Sequence, residues 1–214
     1  DGVAPVQTQA ALLNVPEQLA AMWELDFLHD PAALDVNADG VGDWQVLGGG
    51  AFDHSSLSSG VWHATQVLYT APDHKFTTPT ILEARLRHAA NDGGAAGLLL
   101  YANWTSGRMT PLMALLQRRS DGTQALSLYT LGDGDGAWFL LDQASNLPSG
   151  FIDVRLLFDP AINAVSLRID GDDYGTYTAR RRTPSGQRPA AYLLSWGSSA
   201  QFDHVAIRVL EAGS

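Results

Sequence analysis

Between Phe151 and Asp159 the chain alternates apolar and polar residues. Ile152, Val154, Leu156 and Phe158 share one face, and Asp153 and Arg155 oppose them. Successive side chains of an extended strand point to opposite sides, so this pattern marks a strand with one face buried and one wet. It recurs over Ala164–Asp170, with Val165, Leu167 and Ile169 inward and Ser166 and Arg168 outward. It recurs again over Phe202–Leu210, with Val205, Ile207 and Val209 inward and His204 and Arg208 outward. Leu98–Tyr101 and Leu112–Leu116 are apolar on both faces, which predicts central strands whose second face is covered or lines a groove. Further strands are expected near Trp23–Leu28, Trp44–Leu47, Val61–Tyr69, Ile81–His88, Thr123–Leu131, Trp138–Leu141 and Ala190–Trp196.

The turns between these runs carry hairpin chemistry. Asp121-Gly122, Asp170-Gly171 and Asp133-Gly134-Asp135-Gly136 offer residues that tolerate positive φ. No long amphipathic helix separates the strands, so crossover-linked parallel architecture is disfavoured. The expectation is an all-β fold, an antiparallel two-sheet jelly-roll sandwich. A short N-terminal helical segment is expected within Gln7–Met22, where Ala, Leu and Gln fall at loosely helical spacing and Asn14 is placed to cap. The predicted division is an N-terminal segment over residues 1–22, a sandwich over 23–210 and a tail over 211–214.

The 214 residues suffice for a core without covalent staples, and 45% hydrophobic content excludes a disordered chain. A net charge of −10 argues against nucleic acid as a partner; Arg180-Arg181-Arg182 is too short a run to reverse that. With no cysteine, disulfides, thiolate metal sites and thiol catalysis are excluded. No apolar run is long enough to span a bilayer. The chain opens on Asp1, which suggests a mature or trimmed product with any signal or anchor upstream.

The order of features resembles the concanavalin A-like jelly roll, particularly its laminin-G-like and glucanase-like members. An acidic-aromatic strand, Trp23-Glu24-Leu25-Asp26-Phe27, is followed by Asp43-Trp44-Gln45-Val46 and then Gly48-Gly49-Gly50. An arginine-bearing strand, Leu82–Arg87, precedes the glycine-then-apolar run Ala96–Tyr101. The hairpin Leu167–Gly171 and the closing strand Phe202–Ile207 are similar to the family's strand-to-Asp-Gly turn and to its last strand, which pairs with the first. The resemblance covers roughly Trp23 to Leu210 and implies fold more than function.

The sharpest chemical signal is Asp35–Asp43. Asp35, Asn37, Asp39 and Asp43 stand at relative positions 1, 3, 5 and 9, Gly40 at 6, and the carbonyl of Val41 at 7. Calcium takes six to eight oxygens, and alternate residues of a tight loop can converge on one ion. The spacing resembles the calcium loops of EF-hands, dockerins and thrombospondin type 3 repeats, and it departs from the EF-hand in having Val46 where the bidentate glutamate belongs. The competing reading is a solvated acidic turn held by its own side-chain hydrogen bonds. The expected cofactor is a structural calcium.

The resemblance also poses a test for catalysis. Glucanases of this fold carry a Glu-x-Asp-x-(x)-Glu strand, which sets its carboxylates on one face as acid and nucleophile. The nearest match, Glu24-Leu25-Asp26-Phe27-Leu28-His29, lacks the final glutamate. No Gly-x-Ser-x-Gly elbow, His-Glu-x-x-His pair or phosphate-cradling loop is present. The expectation is therefore a noncatalytic module.

Sugars are held by aromatic stacking on their C–H faces and by planar polar groups at their hydroxyl edges. Tyr101, Asn103, Trp104 and Arg108 supply those types beside Gly107 at a strand end, and Trp104 is the favoured contact. The expected function is an extracytoplasmic binding module for a glycan or a protein surface, with no nucleic acid and no membrane span in this chain. Two rivals remain: the ectodomain of a membrane-anchored or pilin-like assembly component, and a glycoside hydrolase with an atypical site.

Overall fold

The computed structural model describes residues 19–25, 44–47, 57–58, 61–64, 67–70, 78–90, 93–102, 112–131, 138–178, 190–196 and 200–210. Its strands in chain order are β1 (Leu19–Leu25), β2 (Trp44–Leu47), β3 (Leu57–Ser58), β4 (Val61–Ala64), β5 (Val67–Thr70), β6 (Thr80–His88), β7 (Ala95–Ala102) and β8 (Leu112–Arg118). They continue with β9 (Gln124–Leu131), β10 (Trp138–Leu147), β11 (Ile152–Asp159), β12 (Ala164–Ile169), β13 (Asp172–Thr178), β14 (Ala190–Trp196) and β15 (Ala200–Leu210).

These strands form two antiparallel sheets. Sheet A runs β13-β12-β11-β6-β15-β4-β3, with β1 also pairing β15. Sheet B runs β10-β9-β8-β7-β14-β5-β2. The expected all-β jelly-roll sandwich is the fold observed. The last strand does pair with the first: Trp23 faces Ile207 and Leu25 faces Val205. One edge of β15 is shared by two strands in succession, β4 against residues 200–202 and β1 against 205–210.

The core lies between the sheets and is built by the alternation itself. Ile152, Val154, Leu156 and Phe158 of β11 are buried, as are Val165, Leu167 and Ile169 of β12 and Val205, Ile207 and Val209 of β15. Sheet B answers with Leu98, Leu100, Leu112, Leu116, Leu126 and Leu128. Each such side chain contributes roughly 1.5–3 kcal/mol on leaving water.

Two polar devices tie the sheets together. Gln124 of β9 is buried; its Oε1 accepts the backbone N–H of His88 on β6 at 2.7 Å. Its Nε2 donates to the carbonyls of Pro148 and, at 2.8 Å, Gly150. At the sandwich edge Tyr177 of β13 packs against the core, and its hydroxyl donates to Asp142 of β10. Gly175 makes room for that ring: at φ +140°, a Cβ built on it would stand 2.7 Å from the Tyr177 hydroxyl.

Several sequence expectations need correction. The N-terminal helical segment does not reach Met22. Leu19–Met22 already belong to β1, because pairing with Leu210–Arg208 satisfies their backbone and overrides local helix propensity. The sandwich therefore begins before Trp23; residues 1–18 and 211–214 lie outside the described residues. Val61–Tyr69, expected as one strand, is two: β4 joins sheet A and β5 joins sheet B. Strand β10 extends to Leu147 through the polar stretch Asp142–Asn146, which an edge strand paired on one side can carry.

Candidate functional site

The two sheets present outer faces of opposite chemistry. Sheet B has one acid among its strands, Asp142, and its central strands are Ala95–Ala102 and Leu112–Arg118. Both runs read as doubly covered are therefore central, and Leu99, Met113 and Leu115, which point away from the core, are buried. Register places Leu99 beside Met113 and Met113 beside Tyr129 across this outer face.

Sheet A is dressed differently. Across its outer face, cross-strand pairing aligns Glu83 of β6 with Arg155 of β11, and Arg155 with Arg168 of β12. Arg168 in turn pairs with Asp173 of β13. Two arginines thus stand side by side between two carboxylates. Glu83 Oε1 lies 3.3 Å from Arg155 Nε, and its Oε2 lies 3.0 Å from Arg208 Nη2. Arg168 Nε bonds Asp173.

The next row is His204, Arg85 and Asp153. A β-bulge at Phe202–His204 lets Asp203 and His204, consecutive in sequence, both reach the outer side. Asp203 then meets Arg85 at 3.4 Å, and His204 Nδ1 lies 3.5 Å from Glu24 Oε1. Arg85 and Arg87 lie over the ring of Phe151, 5.8 and 4.8 Å from its centroid.

Between these rows is an open recess of about 310 Å³, lined by Glu83, Arg85, Asp153, Arg155, Arg168 and His204, with Gly171 at one end. Gly171 belongs to the two-residue turn joining β12 to β13, in which Asp170 and Gly171 both have positive φ. The Asp170 carboxylate accepts the backbone N–H of Asp153 at 2.8 Å, so the turn is fixed against the wall of the recess. The arrangement offers fixed guanidinium donors and carboxylate acceptors, a set suited to the hydroxyl and acidic groups of a polar ligand. It suits glycoside hydrolysis poorly: both oxygens of Glu83 are already met by guanidiniums.

The sequence-predicted site lies almost wholly outside the described residues. Tyr101 lies near the end of β7 at the centre of sheet B, but its side chain is outside the described residues, as are Asn103, Trp104 and Arg108. The expected calcium ligands Asp35, Asn37, Asp39, Val41 and Asp43, and the turn Asp133–Gly136, are outside them too. Among the described residues, no group of three His, Asp or Glu side chains gathers to hold a metal. No helix among them is long and apolar enough to cross a membrane. The recess itself was not anticipated. Its signals were the outward residues Arg155, Arg168 and His204, which register alone brings together.

No protein-family model matches the chain, and no curated protein matches it. Solved structures do. The CBM2 module of the evolved Dit of Lactobacillus casei BL23 phage J-1 is 14% identical, with a TM-score of 0.57 over 90% of this chain and 96% of that one. A prokaryotic β-1,3-1,4-glucanase (lichenase) from a mouse hindgut metagenome is also 14% identical, with a TM-score of 0.57 over 88% and 99%. The carbohydrate recognition domain of Emp46p, in its metal-free form, is 12% identical, with a TM-score of 0.55 over 89% and 97%. The fold is thus the concanavalin A-like jelly roll.

Proposed function

We propose that this protein is a noncatalytic carbohydrate-binding module that works outside the cytoplasm. The observation that carries this reading is the division of charge between the two outer faces. The central strands of sheet B, Ala95–Ala102 and Leu112–Arg118, carry no carboxylate. Retaining and inverting glycosidases both need a facing pair of carboxylates, and those strands do not supply one. Sheet A, in contrast, displays paired donors and acceptors beside the ring of Phe151. The fold supports the reading, since the similar structures include a carbohydrate-binding module and a carbohydrate recognition domain.

Glycan contacts at the segment leaving β7, through Tyr101, Asn103, Trp104 and Arg108, belong to this proposal, with Trp104 as the stacking surface. So does a structural calcium held by Asp35, Asn37, Asp39, Asp43 and the Val41 carbonyl. The test is a broad polysaccharide and glycan array, read once with calcium and once with chelator. Binding that Trp104→Ala abolishes is the expected result. Silence from the folded protein under both conditions would overturn the proposal. For the metal, chelation should lower the melting temperature; a melting curve unchanged by chelator, with no metal found in the purified protein, would refute it.

A further inference from the structure

We propose that the recess on the outer face of sheet A is a seat for the carboxylate of an acidic sugar, gripped between Arg155 and Arg168. These two residues are direct cross-strand partners on one face. Like charges so placed weaken a strand pair. Here the arrangement is offset by Glu83 and Asp173 on the flanking strands rather than avoided. Breaches of a local rule concentrate at sites kept for function.

Three further observations converge on the same spot. The recess, about 310 Å³, is at the lower end of the roughly 300–1,000 Å³ typical of ligand pockets. A third guanidinium, that of Arg85, lines it. The β15 bulge brings His204 to its wall while sending Asp203 to Arg85. Bulges commonly re-aim side chains beside functional sites.

The geometry of the guanidiniums selects the ligand's charged group. Three guanidiniums line the recess with the carboxylates of Glu83 and Asp153, and Asp173 and Asp203 hold Arg168 and Arg85 from its margins, so an incoming carboxylate competes with those acids for the guanidiniums. Guanidinium forks match a planar carboxylate in bidentate geometry. The two carboxylates can then accept from ring hydroxyls, so a uronic acid residue supplies both halves of the match. Because the whole chain carries −10, the attraction is local, and added salt should weaken it. The saccharide part of this proposal rests on the carbohydrate reading above; the anion seat rests on the arginine pair and the recess beside it.

The experiment is calorimetric titration of the whole chain with trigalacturonate, with neutral galactotriose and with sodium acetate. Trigalacturonate should bind, more weakly as salt rises, and Arg168→Gln should weaken it about tenfold or more, the scale of a lost charge-assisted bond. Arg119→Gln removes the same charge at a distant position, where Arg119 bonds Ser145, and should leave the affinity within about twofold. Asp173→Asn frees Arg168 of its flanking acid and should tighten binding, which keeps the test decisive if Arg168→Gln folds poorly. Equal losses in Arg168→Gln and Arg119→Gln, or galactotriose binding as well as trigalacturonate in a manner Arg168→Gln abolishes, would overturn the seat. Neutral glycans binding the array while trigalacturonate does not bind would overturn the seat and leave the carbohydrate reading standing. Acetate binding lost in Arg168→Gln, with no saccharide bound, would retain the seat and overturn the carbohydrate reading.

Discussion

Leu99 and Arg155 both point away from the core, one from the middle of sheet B and one from the middle of sheet A. Leu99 is wholly buried, whereas Arg155 is part of an ion-pair row bordering an open recess. The strands around them follow suit. β8 is buried at every position from Leu112 to Leu116, while β11 alternates buried residues with exposed or half-buried ones from Ile152 to Asp159. One sheet spends its outer face on apolar cover and the other on charge. Position on the outside of a sandwich therefore does not define a surface; what lies over it does.

The contrast between the two sheets is tested most severely at Leu99. Leu99→Ala should cost about 2–4 kcal/mol by chemical denaturation, the range of a core deletion, although the residue faces outward. A cost near zero would show that sheet B's outer face contributes no packing. Gln124→Leu comes next, at about 2–3 kcal/mol, because the His88 N–H and the carbonyls of Pro148 and Gly150 lose a buried partner together. An unchanged denaturation midpoint would remove Gln124 from the links between the sheets.

Smaller effects are expected at the sandwich edge. Gly175→Ala should cost about 1–2 kcal/mol, since φ +140° disfavours a side chain and the Tyr177 ring occupies the space. Tyr177→Phe should cost about 1 kcal/mol through the lost bond to Asp142. Burial, then the hydrogen bond to Asp142 and its negative charge, push the Tyr177 pKa well above the ordinary tyrosine range. The folded state therefore holds this proton more tightly than the unfolded chain does. The resulting stability is fully present below the ordinary tyrosine pKa near 10 and declines as pH rises through that value towards the raised one. Melting temperatures measured across this alkaline range should fall faster for the native protein than for Tyr177→Phe. Parallel curves would contradict the assignment.

Much of the fold was legible because period-two alternation is a local signal. The inward faces of β11, β12 and β15 could be assigned residue by residue, and the Asp170-Gly171 turn read directly from its chemistry. The division of Val61–Tyr69 between two sheets was not legible, since nothing within that apolar run says which partner each half takes. The second half of β10 was hidden for the opposite reason: Asp142–Asn146 is polar, and only its pairing to β9 makes it a strand. The recess could not be assembled from its outward residues without the register. Glu83, Arg155, Arg168 and Asp173 are scattered over ninety residues of sequence, and register alone sets them in one row. Arg85 and His204 meet for the same reason, helped by a bulge with no sequence signature of its own.

Binding and the absence of hydrolysis can be followed together in a single titration. The polysaccharide giving the strongest array signal would be titrated calorimetrically into the whole chain, and new reducing ends counted in the same samples after prolonged incubation. Saturable binding is expected, with no reducing ends above the protein-free control. Steady production of reducing ends that is lost when Glu83 or Asp153 is replaced by its amide would contradict it, and would make the recess of sheet A a catalytic cleft.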